Sequence, residues 1–287
     1  MATDKRKRAI RALAAERGVS YTAAMRLHDE GTITRQPPSF LFAGERTLLD
    51  TPLLLLADTG AGSLLLGAAT AVEAAAEGAE VVVLGDREPV LPPRHTADAP
   101  APGAITEATS TLMSSRMREM TDYLNAEFTR RAGVLKDHQA SHWLNLPDEV
   151  RERERMNHPV LVIENQDPQG TDTSEGGALM RKTCERIRRM GRIAGFCSLS
   201  IRMGGATART LEQVPGFQFT KVALGRHGTL DSGTTALVET FHENPDRQEC
   251  LDALPLLPSG HVLMLEAGSE PQVRWLDPAP YAPLFRA

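Results

Sequence analysis

Cysteine is scarce in this 287-residue chain. Cys184, Cys197 and Cys250 lie far apart and form no C-x-x-C pair. That excludes a disulfide framework and a structural zinc site, and fits a reducing compartment. No apolar run approaches the roughly 18 residues of a membrane span. The first residues, MATDKRKRAIRALAAERG, contain no apolar core of a secretory leader, so a cytoplasmic protein is expected. The net charge is only −5, so nothing global attracts nucleic acid, and any such binding has to come from local patches. Metal-ligand spacing is absent too. His95, His227, His242 and His261 are scattered, and His138 and His142, four apart, sit in a polar loop-like stretch, so no metal is expected.

What is present is concentrated between Pro52 and Pro89. Leu53 to Leu56 is an apolar run, followed by the turn Ala57-Asp58-Thr59-Gly60-Ala61-Gly62-Ser63. An Ala/Leu-rich segment continues to Glu77, and a second apolar run spans Val81 to Leu84. Short apolar runs bounded by turn signals read as buried strands, and the longer segment reads as a helix. The product is one βαβ unit of a parallel sheet.

Upstream, Lys5 to Arg17 places Ile10, Leu13 and Ala14 among basic residues and reads as an amphipathic helix. Gly18 breaks it, and Ser20 or Thr22 can cap a second helix to about His28. Ala14, Gly18 and Ala24 have the residue types of a helix-turn-helix, as any tight helical hairpin has. Residues 1–36 are therefore a basic helical arm and linker, a candidate DNA or partner contact through Lys5, Arg6, Lys7 and Arg8. Residues 37–287 form the main domain.

Downstream, Pro89 to Pro102 holds five prolines and reads as an extended loop. Helical periodicity is read from Ile105 to Ala132, and a short, nearly all-polar helix from Asp148 to Met156 is expected to be solvated. Pro159 to Ile163 reads as a strand with Glu164 and Asn165 at its C-terminal end, where ligands collect in open α/β sheets. A helix from Gly177 to Met190 carries six basic residues between Arg181 and Arg192, which predicts a solvated face. Further strands are expected near 196–201, 219–224, 262–266 and 273–276. Trp143 and Trp275 read as packing under loops.

Several segments together resemble the motor domain of the FtsK/SpoIIIE and TraB family, hexameric ATP-driven DNA translocases. ADTGAGSL (57–64) is similar to the family's G-x-T-G-S-G-K-S loop, and VVVLGDRE (81–88) to its second strand. REMTDYLNAEFTRR (118–131) resembles a helix with paired arginines, and HPVLVIEN (158–165) the Walker B strand. RIRRMGRIAGFCSLSI (186–201), TKVALGRHGTLDSGTTAL (220–237) and GHVLMLEAGSEPQVRW (260–275) resemble the later strands and final hairpin. The resemblance implies an α/β, RecA-like P-loop NTPase fold, with a mostly parallel sheet flanked by helices.

The departures fall on chemistry. The nucleotide-binding stretch would be Thr59, Gly60, Ala61, Gly62, Ser63 and Leu64. Ser63 replaces the phosphate-binding Lys, and Leu64 replaces the Mg²⁺-binding hydroxyl. Glu164 stands for the metal-site Asp and Asn165 for the Glu that activates water, and a carboxamide is no general base. Arg202-Met203 stands where a polar sensor is expected. In the implied fold Ser63, Leu64 and Asn165 converge on one site. No cofactor is expected to be turned over, ATP–Mg being the candidate the loop's shape offers. The first reading is a non-hydrolysing structural or regulatory subunit in DNA transfer, segregation or maintenance. Its partners would be copies of itself in a ring, a related active ATPase, and DNA, with Arg188, Arg189 and Arg192 as further DNA or interface residues. The alternatives are an active translocase with an unusual loop, and a small DNA-binding regulator acting through its arm.

Overall fold

The computed structural model describes residues 2–17, 24, 38–42, 45–49, 51–58, 60–85, 90–92, 95–109, 114–166, 175–203, 219, 221–228, 230, 232–241, 246–266, 269–275, 279 and 281. The apolar runs become strands buried on both faces, because a parallel sheet is covered by helices on each side. They are β3 (Leu53–Ala57), β4 (Glu80–Gly85), β6 (Val160–Gln166), β7 (Phe196–Met203) and β8 (Lys221–Leu224). With β5 (Ile105–Thr109), β9 (His261–Glu266) and β10 (Gln272–Trp275) they make one eight-stranded sheet, ordered β10-β9-β8-β3-β7-β6-β4-β5. Pairing is parallel from β8 to β5 and antiparallel for β8–β9 and β9–β10. Mostly parallel with an antiparallel edge is the expected architecture.

Residue alternation decides which side chains meet which layer. Leu161 and Ile163 of β6 face the helix α2 (Ser63–Ala76), in one apolar cluster with Leu66, Ala68 and Ala71. A hairpin of β1 (Ser39–Phe42) and β2 (Glu45–Leu48) covers that helix, with Phe40 and Phe42 fully buried. Val160 and Val162 face the opposite layer, made of α3 (Ser114–Asp137) and α5 (Glu175–Met190). Beside that layer, α6 (Ser232–Phe241) and α7 (Asp246–Ala253) cover Leu54, Leu56, Val222 and Leu263. Each fully buried Leu or Val contributes about 1.5–3 kcal/mol.

Buried polar groups tie the lower end of the sheet. Arg131 on α3, 2% exposed, donates to Glu127 and to the carbonyls of His158 and Ala194, and lies over the Phe196 ring. Lys221 bridges Glu45 of the hairpin at 2.7 Å and Glu266 of β9 at 3.2 Å.

Several expectations are corrected. Ile105 to Thr109 is not the start of a helix but the edge strand β5; the helix begins at Ser114. The polar helix α4 (Asp148–Arg153) is not wholly solvated, since Val150 and the following Met156 turn into the core under α3. Trp143 is buried at 1%, but Trp275 is 52% exposed rather than covered. The arm's first helix, α1, spans Ala2–Arg17 with Ile10 buried. Its second helix and the boundary near residue 36 lie outside the described residues, apart from a buried Ala24.

Candidate functional site

The glycine turn after β3 is built as a tight entry into α2. Gly60 and Gly62 have φ of +82° and +96°, a left-handed conformation in which a Cβ would be strained. Gly62 is the N-cap of α2, and its carbonyl receives the N–H of Leu66. The turn is braced from two sides. Asp58 accepts the Gly228 N–H at 2.7 Å and donates its own N–H to Arg226, tying the turn to the chain after β8. Ala61 and Gly60 offer their carbonyls to Gly260 N–H at 3.1 Å and Ser259 Oγ at 3.4 Å.

Between Ala57 and Leu64 the one charged side chain is the acid Asp58, and there is no cation. Ser63 is buried at 4% and Leu64 is half-buried. The first turn of α2 contains no acid and its last turn no base. Beside the turn opens a cavity of about 270 Å³, walled by Leu55, Leu65, Leu66, Val262 and the half-exposed Trp275. Its walls are mainly apolar, with Ser63 and Ser259 as the hydroxyl residues of the lining, and no Lys or Arg lines it to neutralise a phosphate. Thr59 lies outside the described residues.

Glu164 is elsewhere. Alternation along β6 puts it on the face of α5, whereas Asn165 falls on the face of α2, level with Ile201 beneath Gly67. Glu164 is 2% exposed, and one oxygen, Oε2, takes three partners. Arg188 of α5 donates to it, Ser200 of β7 donates at 2.8 Å, and Arg202 of β7 approaches to 3.5 Å. Arg188 also reaches Ser200 Oγ at 3.4 Å. Burial pushes the Glu164 carboxyl up, but the guanidinium groups of Arg188 and Arg202 and the two hydrogen bonds outweigh it. The group is held below the usual glutamate range as a carboxylate.

Asn165 thus shares a sheet face with Ser63 and Leu64, while Glu164 does not. For Arg188 the expected solvated face is corrected: the side chain is buried as a partner of Glu164. Arg189 is exposed and pairs with Glu185 at 3.0 Å, and Arg192 is half-buried in the turn after α5. Lys7 and Arg8 are exposed on α1, joined by Arg11; the side chains of Lys5 and Arg6 lie outside the described residues. Arg202 is part of β7 rather than of a loop beyond it.

Arg188 and Arg202 left a signal that charge counting hides. Arg188 continues the stripe Met180, Cys184, Ile187 at helical spacing, and Arg202 continues Ser198 and Ser200 on alternate positions of a buried strand.

Mg–ATP chemistry needs a cation and a metal-binding oxygen at the loop, and an acid facing them from the neighbouring strand tip. Ser63 carries no charge, Leu64 carries no oxygen, and Glu164 is engaged by two arginines on the far face of the sheet. The residues present do not fit that group. Among the described residues no cluster of three His, Cys, Asp or Glu could hold a metal, and no helix is long and apolar enough to cross a membrane.

The architecture has solved counterparts. The pCW3 conjugation coupling protein TcpA, in a monomer form with ATPγS, matches with a TM-score of 0.56 and 14% identity, over 90% of this chain and 73% of that one. EssC (ATPases 2 and 3) from Geobacillus thermodenitrificans matches with a TM-score of 0.56 and 11% identity, over 86% of this chain and 46% of that one. No protein-family model and no curated protein matches the sequence. At such identity the likeness is one of fold, and the fold is RecA-like, a mostly parallel sheet flanked by helices.

Proposed function

We propose that this chain is a non-hydrolysing FtsK/TraB-like subunit, structural or regulatory, in machinery that transfers, segregates or maintains DNA. The observation that carries the reading is the double commitment of Glu164: buried, and paired to Arg188 and Arg202 instead of facing the loop. Ser63 and Leu64 at the loop, and Asn165 in place of a general base, point the same way. Loss of a general base alone costs about 10²–10⁴ in rate. Loss of the loop cation removes electrostatic stabilisation besides.

Contact with DNA is assigned to the arm. Through residue 17 the chain has six Lys or Arg and two acids, a net +4 against −5 for the whole, which leaves −9 for the rest. Lys7, Arg8 and Arg11 are exposed and enter no ion pair among the described residues, while Ile10 anchors the helix. The body would assemble through its motor-fold surfaces, with copies of itself or with an active ATPase. TcpA, similar in fold, is a conjugation coupling protein, which agrees with a role in DNA transfer.

Steady-state ATP turnover with DNA present tests the reading. The expected rate is at least about 10²-fold below the ~1 s⁻¹ at the low end for enzymes. Turnover near ~1 s⁻¹ that Glu164→Ala abolishes would establish an active motor instead. Deletion of residues 1–36 tests the arm: DNA binding should disappear, and binding by the intact chain should fall steeply with salt. Equal binding by the truncated protein removes the arm from the account.

A further inference from the structure

We infer that Glu164, Arg188 and Arg202 form a metal-independent lock that bolts α5 to the tips of β6 and β7. This inference rests on the non-hydrolysing reading and gives its retired carboxylate a use. Three elements meet at one oxygen: β6 supplies Glu164, β7 supplies Ser200 and Arg202, and α5 supplies Arg188. The Arg188 and Arg202 side chains are each 5% exposed, and that of Glu164 2%. Guanidinium groups stay charged at any physiological pH. A buried charge is tolerated only with its partner in place, so each member depends on the others.

The position matters as much as the burial. The C-terminal tips of parallel strands are where open α/β sheets meet their ligands. At this tip the carboxylate is already neutralised by groups tethered to the same chain. A tethered partner competes with a free one at an effective concentration set by the tether, and here it is already seated. A dissolved cation has to displace two arginines and then leave them buried without their acid. The tips of β6 and β7 and the helix α5 therefore hold one arrangement whether or not Mg²⁺ and nucleotide are present. Arg188 also explains the register of α5: apolar contacts by Met180, Cys184 and Ile187 set its depth, and the ion pair one turn on from Cys184 sets its rotation.

The test is thermal unfolding of the full chain as wild type, Glu164→Gln and the triple variant Glu164→Gln/Arg188→Met/Arg202→Met. Each is measured in EDTA and in millimolar Mg–ATP. Gln keeps an oxygen for Ser200 but strands both guanidinium groups, and the triple variant removes those as well. The wild type should melt at the same temperature in both buffers. Glu164→Gln should melt about 6 °C or more lower, and the triple variant should regain at least half of that loss. If Glu164→Gln yields no folded protein, a folded triple variant supports the lock and an unfolded one overturns it. The lock is also overturned if Glu164→Gln melts within about 2 °C of wild type, or if Mg–ATP raises the wild-type melting temperature. ATP turnover by the wild type, read in its separate assay, strikes the functional reading itself, whereas an unaltered Glu164→Gln melt strikes the lock alone.

Discussion

Two corners of one sheet edge have gone in opposite directions. At the start of α2 the glycine turn keeps its backbone, with Gly60 and Gly62 left-handed and the helix N-terminus beside a mainly apolar cavity, yet it holds no cation. At the tips of β6 and β7, on the other face, Glu164, Arg188 and Arg202 put three charges into a site 5% exposed or less. The contrast teaches that the fold and the reaction have separate requirements. Backbone geometry at the turn is needed to enter a helix from a strand and survives without a ligand. A buried carboxylate does not survive without a cation, so a partner is present in its place.

The largest effect expected from breaking the contrast is on stability. Glu164→Ala takes the shared carboxylate from two buried guanidinium groups and should cost about 3–5 kcal/mol in urea unfolding. A loss under about 1 kcal/mol would mean that the charges at this corner matter as little as those of a surface pair.

A second carboxyl group sharpens the point, because it is half-buried with no cation paired to it among the described residues. Glu107 on β5 accepts the N–H groups of Val90 and Leu91 at 2.5 and 3.2 Å and has no ion pair among the described residues. Burial raises its carboxyl from 4.5 to about 7, against the pull of those two hydrogen bonds. Glu164, with arginines, shifts down. A carboxyl raised in the folded state costs nothing below its unfolded value. The cost grows as pH rises from 4.5 through about 7, then stays constant. Relative to Glu107→Gln, the wild type should lose about 3 kcal/mol between pH 4 and pH 8. Parallel stability curves for the two proteins would contradict the assignment.

At the glycine turn, effects should be small. Ser63→Lys/Leu64→Ser restores the missing loop chemistry in sequence, but it should add no ATP turnover, because Glu164 still faces α5. Measurable turnover in that variant would mean that the loop alone was limiting. Trp275→Ala should change stability by less than about 1 kcal/mol, since the ring is half-exposed against His261. In the wild type, a collisional quencher should reach the emission of Trp275 and leave that of buried Trp143.

Much of the frame was legible in the chain because its signals are local. Val81 to Leu84 and Val160 to Ile163 can be little else than buried strands, and the Ala/Leu segment from Ser63 needs only its length to be a helix. Ile105 to Thr109 was misjudged because ITEAT interposes Thr and Glu in an edge strand and runs close to a strongly periodic helix. The hairpin β1–β2 and the helices α6 and α7 were not anticipated. The hairpin strands are four residues each, and the helices present brief apolar stripes to one edge of the sheet. At the candidate site the loop's substitutions were visible residue by residue. The ion cluster was not, since Arg188 and Glu164 are 24 positions apart and in a basic run an inward arginine looks like its solvated neighbours.

The central claim is that Glu164 serves arginines and not a metal–nucleotide complex. Calorimetric titration of Mg–ATPγS into the purified full chain tests it most directly. The account predicts no saturable heat, with or without Mg²⁺. Tight, Mg²⁺-dependent binding that Glu164→Gln abolishes while the protein remains folded would contradict it.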